Sequence, residues 1–177
     1  MVLKDLSFSV GKDKFVSIVG PSGCGKSTLT KLIAGLSIPY KGKIFISGTP
    51  VDSPRKSIGM AFQNPVLLEW RTTVDNICLP LEIVSPQMTR KQKIERATEL
   101  LEMVGLEDFS QSRPSQLSGG MKQRVSLCRS LVHRPKILIL DEPFGALDAF
   151  TREGLWRTLK DLKTSENFTC ILITHDL

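Results

Sequence analysis

Apolar residues recur on two different periods along this chain, and the switches between them mark its elements. Leu6, Phe8 and Val10 alternate with polar neighbours, which predicts a strand over residues 3–10, turned at residues 11–14 into a mostly apolar strand over 15–19. Leu29, Leu32, Ile33 and Leu36 then fall at i, i+3, i+4 and i+7, the spacing of one buried helix face, and this helix is expected to end near Gly35. Short strands follow at 44–47 and 58–62, separated by a turn rich in glycine and proline. No strand pattern returns until residue 136. In between, Thr89 and Gln92 form a capping box for a helix with Ile94, Ala97, Leu101 and Val104 on one face, stopped at Gly105. A second helix, from about 119 to 133, turns Val125, Cys128 and Leu131 or Val132 inward. A compact strand at 136–140, a helix at 149–163 with Leu155, Leu159 and Leu162 facing in, and a strand at 169–174 complete the pattern. Strands alternating with helices predict an α/β core over 1–63 and 134–177, carrying a mostly helical insertion at about 64–133.

Composition adds bounds rather than identity. The 177 residues, 41% of them hydrophobic, suffice for one sizeable core. No apolar run is as long as a membrane span and Met1 opens no secretory leader, so a cytosolic chain is expected. The cysteines at 24, 78, 128 and 170 lack metal-ligand spacing; buried thiols are expected in the apolar stretches, while Cys24 falls in a glycine-rich loop. The net charge of +6 is spread along the chain, and its densest cluster, Arg90 to Arg96, reads as a solvated helix face; no nucleic-acid partner is expected.

The chemistry begins between the strand at 15–19 and the helix after it. Gly20, Pro21, Ser22, Gly23, Cys24, Gly25, Lys26, Ser27 and Thr28 spell a phosphate loop: glycines let successive N–H groups curl toward one anion, and the positive end of a helix lies behind them. Lys26 supplies a charge for the β- and γ-phosphates of a nucleotide and Ser27 a hydroxyl for Mg²⁺. In an open parallel sheet, ligands bind beyond the carboxyl ends of the strands. Gln63, Asp141, Glu142 and His175 each follow a predicted strand. Asp141 is placed to hold the metal, Glu142 to take a proton from water, Gln63 to bond the metal-bound and attacking waters, and His175 to reach the γ-phosphate. Within the insertion, Ser118, Gly119 and Gly120 form a second helix N-terminus suited to an anion, and two anion sites in one chain point to a partner chain.

Together these motifs resemble the ATP-binding subunit of ABC transporters, a P-loop NTPase (RecA-like) fold. Walker A lies at Gly20 to Thr28, the Q-loop glutamine at Gln63, the LSGG signature at Leu117 to Gly120, Walker B at Ile137 to Asp141, the catalytic glutamate at Glu142, the D-loop at Ala146 to Asp148 and the switch histidine at His175. The resemblance implies two ATP molecules with Mg²⁺ between two such subunits in a homodimer, Ser118 and Gly120 facing the partner's γ-phosphate. It also implies transmembrane permease subunits moved through the insertion, a solute-binding protein in the same system, and a peripheral position on the cytoplasmic face of the cell membrane. Leu67 to Thr72 and Asp141 to Arg152 look like importers of the nitrate, sulfonate and taurine group, which often has proline where Glu69 stands. Trp70 is expected either to pack the insertion or to touch a membrane subunit. No aromatic residue in Met1 to Val10 matches the family's adenine platform, and the family's chain continues past the histidine, so the sequence reads as truncated at both ends. Two alternatives stand beside the importer reading: a non-catalytic nucleotide-binding fragment, and a soluble ABC ATPase not engaged in transport.

Overall fold

The computed structural model describes residues 3–145 and 147–174. Strands β1 (Phe15–Val19), β4 (Ile58–Phe62), β5 (Ile137–Asp141) and β6 (Thr169–Thr174) form a parallel sheet in the order β1-β6-β5-β4, while β2 (Phe45–Ile46) and β3 (Thr49–Pro50) pair as a separate antiparallel ribbon. Among the described residues five α-helices accompany them: α1 (Lys26–Ile33), α2 (Thr73–Val84), α3 (Arg90–Met103), α4 (Gly119–Leu131) and α5 (Ala149–Glu166).

The two inner strands read as unbroken apolar runs because both of their faces are covered. Ile139 and Ile171 point to one face, where they meet Leu29, Ile33 and Ala34 around α1. Leu138, Leu140, Cys170 and Leu172 point to the other, into a larger core shared with α2, α3, α4 and α5. The register aligns the carboxyl ends: Phe62 lies opposite Asp141, Asp141 opposite Ile173, and Val19 opposite Thr174. Every segment that leaves these strands therefore starts from one edge of the sheet.

Three expectations change, and one helix has no counterpart in the sequence pattern. Residues 3–10 form no strand; Leu6 and Phe8 stay about half exposed, since alternation makes a strand only where a ladder partner exists. The strand at 44–47 shrinks to β2, whose partner is β3 rather than the main sheet. Helix α2 was not legible because Pro80 sits inside it; Thr72 caps it, accepting from the Asp75 amide, and Ile77 and Leu81 bury its inner face. Arg96, read as part of a solvated face, is buried: its guanidinium donates to Glu166 at 2.6 Å, to Glu99 at 3.2 Å and to the Val132 carbonyl.

Candidate nucleotide site

The loop between β1 and α1 is shaped by its glycines. Gly23 and Gly25 take φ of 80° and 105°, conformations that side chains disfavour, and Gly25 starts α1 without any side-chain cap. The first amides of α1 are thus left for a ligand. Lys26 is buried, and its ammonium donates back to the loop's own carbonyls, Gly20 at 2.7 Å and Pro21 at 3.0 Å. The same nitrogen lies 3.7 Å from Glu142 Oε1. Pro21, Ser22, Cys24, Ser27 and Thr28 are exposed around it.

Asp141 ends β5 with its carboxyl beside the Ser27 hydroxyl. Burial, reinforced by the neighbouring charge of Glu142, pushes this carboxyl above its ordinary range, against the opposing pull of Lys26, Lys31 and Ser27. A hydroxyl and a carboxylate in contact are the hard oxygen donors that Mg²⁺ takes, and that ion needs only one or two protein ligands beside phosphate oxygens and water. The residues present therefore fit the metal. Glu142 holds a left-handed backbone, φ 50°, with its amide donating to the Ile173 carbonyl at 2.9 Å. Such a conformation in a residue with a side chain is strained and persists only where the surroundings fix it.

Gln63 leaves β4 one strand over, exposed. The carbonyl before it, Phe62 O, accepts from the buried Gln123 side chain of α4 at 3.2 Å. Sequence reading passed over Gln123; its place four residues before the buried Leu127 was the available signal.

Ser118 caps α4, its Oγ accepting from the Met121 amide at 3.3 Å, and Ser118 and Gly119 are exposed. A Cβ on Gly120 would stand 2.6 Å from Thr151 Cγ2, so a side chain there forces Thr151 to shift. Thr151 in turn donates its hydroxyl to Asp148 Oδ2 at 2.6 Å, while Asp148 Oδ1 accepts from the Phe150 and Thr151 amides. These bonds, the Thr151 hydroxyl first, hold the exposed Asp148 carboxyl below its usual range. The signature turn and the start of α5 thereby meet at one residue. Among the described residues, no hydrogen bond or ion pair joins Ser118–Gly120 to the loop at 20–28. His175 lies outside the described residues, as does Ala146 of the D-loop. Trp70 is 72% exposed, so it does not pack the insertion.

A phosphate loop at one strand end, two carboxylates at another and an LSGG helix start define an ATP-binding cassette on a P-loop NTPase fold. The chain belongs to the ABC transporter family, whose model matches residues 3–145. It is 42% identical over 177 residues to the nitrate import ATP-binding protein NrtD of Synechococcus elongatus and 44% identical over 176 residues to the aliphatic sulfonates import ATP-binding protein SsuB of Bacillus subtilis. The bicarbonate transport ATP-binding protein CmpD of Synechococcus elongatus is 42% identical over 176 residues. These alignments cover 99–100% of the chain, which spans 65%, 67% and 63% of the three relatives, about two thirds of their length. A solved structure of the cassette MJ0796, dimeric in a post-hydrolysis state bound to ADP and Pi, superposes with a TM-score of 0.86 at 35% identity, covering 99% of this chain and 80% of that one.

Proposed function

We propose that this chain is the ATP-binding and ATP-hydrolysing subunit of a membrane importer for a small anionic solute such as nitrate or a sulfonate. The carrying observation is the contact of Lys26 with Glu142 beside the Ser27–Asp141 pair, at the edge where all four strands end. The names of the relatives, which are import or transport proteins for nitrate, sulfonates and bicarbonate, support the solute class.

Each residue has a role in that reading. Lys26 exchanges its loop carbonyls for the β- and γ-phosphates, a neutral pairing traded for a charged one. Ser27 and Asp141 would hold Mg²⁺, with Gln63 beside them; bound there, the ion neutralises phosphate charge. Glu142 takes the proton of the attacking water, and His175 orients the γ-phosphate. Gly20 to Thr28 hold the phosphates of one copy, and Ser118, Gly119, Gly120 and Asp148 close on the nucleotide of a second. The insertion, about 64–133, faces the permease subunits with Trp70 as an exposed anchor, and a solute-binding protein completes the system. This arrangement puts the chain on the cytoplasmic face of the membrane.

The test is ATP turnover by the full-length subunit assembled with its permease. Glu142→Gln should lower kcat at least about 100-fold with ATP affinity retained. Turnover unchanged by that substitution, or failure of the subunit to co-purify with any multi-span membrane protein, would sink the reading.

A further inference from the structure

Glu142 is strained, and the turn that follows it has to be held. Its amide is fixed to β6 through Ile173 O, and its carbonyl accepts from Gly145 N–H at 3.2 Å, closing a tight turn. The far end of the turn is anchored where Leu147 N–H donates to Phe144 O and Asp148 caps α5. Between these anchors Phe144 is buried and stacked on Trp156 of α5, with ring centroids 4.6 Å apart and planes 28° from parallel. Trp156 also meets Phe15 of β1 at 5.8 Å, so it lies between the strand that leads into the phosphate loop and the turn that carries Glu142. A rigid ring with two torsions, backed by a helix, fixes position at low cost in conformational entropy.

We propose that Trp156 is a positioning residue for ATP hydrolysis, acting through Phe144 to keep the Glu142 carboxylate at the phosphate loop. The inference rests on the reading of Glu142 as the proton acceptor. Loss of the stack lets the strained turn relax, which moves Glu142 away from Lys26 without touching the residues that hold the nucleotide. The effect therefore falls on kcat and spares ATP affinity.

The experiment compares Trp156→Leu, Trp156→Phe and wild type in the full-length protein, with turnover counted per nucleotide bound so that misfolded material does not enter. Trp156→Leu should lose about tenfold or more in kcat with KM for ATP within about twofold, and Trp156→Phe should regain most of it. A second readout is optical: the sequence has two tryptophans, so Trp70→Phe leaves Trp156 alone to report on its stack. Its emission should shift on adding Phe144→Leu. If Trp156→Leu fails to fold, Phe144→Leu is expected to show the same kcat loss at unchanged KM. Turnover per bound nucleotide within about twofold of wild type in the leucine variant, or equal losses in the leucine and phenylalanine variants, would overturn the proposal. An inert wild type that binds ATP would instead remove the hydrolytic reading and this inference with it, and is told apart by needing no variant.

Discussion

Thr151 shows how tightly single residues constrain the functional stretches. Its methyl occupies the space a Gly120 side chain would need, while its hydroxyl serves the Asp148 cap. Gly120→Ala should therefore destabilise the fold by about 1–3 kcal/mol through overpacking. Adding Thr151→Ser removes the methyl and keeps the cap, so the double variant should recover most of that loss in urea unfolding; equal instability of single and double variants would contradict the contact. His133 makes a different prediction, on acidity. It lies against the Ile58 carbonyl through Nε2 with Nδ1 buried and unpartnered, and burial holds its pKa below the usual 6.5. The unfolded chain then binds the proton more readily than the folded one, so this residue's contribution is full above pH 6.5 and is lost as pH falls through the depressed value. Thermal melts should show stability dropping from pH 7.5 to 5.5, and His133→Gln, which keeps a donor for Ile58, should flatten that drop. A melt profile identical to wild type would remove His133 from the account.

At the scale of elements, the buried Arg96 joins α3 to the far end of α5 through Glu166, with both side chains about 10% exposed. Removing Glu166 leaves the buried guanidinium with only the more exposed Glu99 and the Val132 carbonyl: Glu166→Gln should cost about 1–3 kcal/mol, whereas Arg96→Met with Glu166→Leu should return to within about 1 kcal/mol of wild type. Chemical denaturation of the three proteins measures both. The pair also shows where the sequence stops being legible. A cluster running Arg90 to Arg96 carries no mark of which arginine will face inward, because that depends on where α5 ends, 70 residues later. Local signals fared better. The β1 limits, the Thr89–Gln92 capping box and the Ser118 cap are all fixed by neighbours within a few residues, and all were readable in advance. Residues 3–10 and α2 fail for opposite reasons: the first has a strand pattern without a ladder, the second a proline that tertiary packing overrides. The motif residues of the site were legible as types in order. The left-handed Glu142, the Gln123 bond to β4 and the Phe144–Trp156 stack were not, since each is a meeting of segments distant in sequence.

On the proposed reading, the described residues carry two half-sites, the phosphate loop and the Ser118–Gly120 turn, that no hydrogen bond or ion pair joins within one copy. A two-fold dimer in which residue i of one copy meets residue j of the other would join the phosphate loop of each to the signature of its partner. That symmetry can be tested by complementation. Lys26→Ala removes the phosphate charge, and Ser118→Arg blocks the exposed signature turn. Each variant alone should be inactive, because every site of either homodimer contains one lesion. Mixed copies differ: one site of the heterodimer combines both lesions and the other combines the intact Lys26 of one copy with the intact Ser118 of its partner. In an equal mixture about half of the dimers are mixed and each keeps one of two sites, so turnover should return to about a quarter of wild type where the sites act independently. A chain carrying both substitutions, mixed with either single variant, leaves no intact pair and should stay inactive. No recovery in the first mixture, under conditions where wild-type copies exchange, would mean that the signature serves its own phosphate loop, and recovery in the control would mean that activity does not depend on an intact pair of these residues.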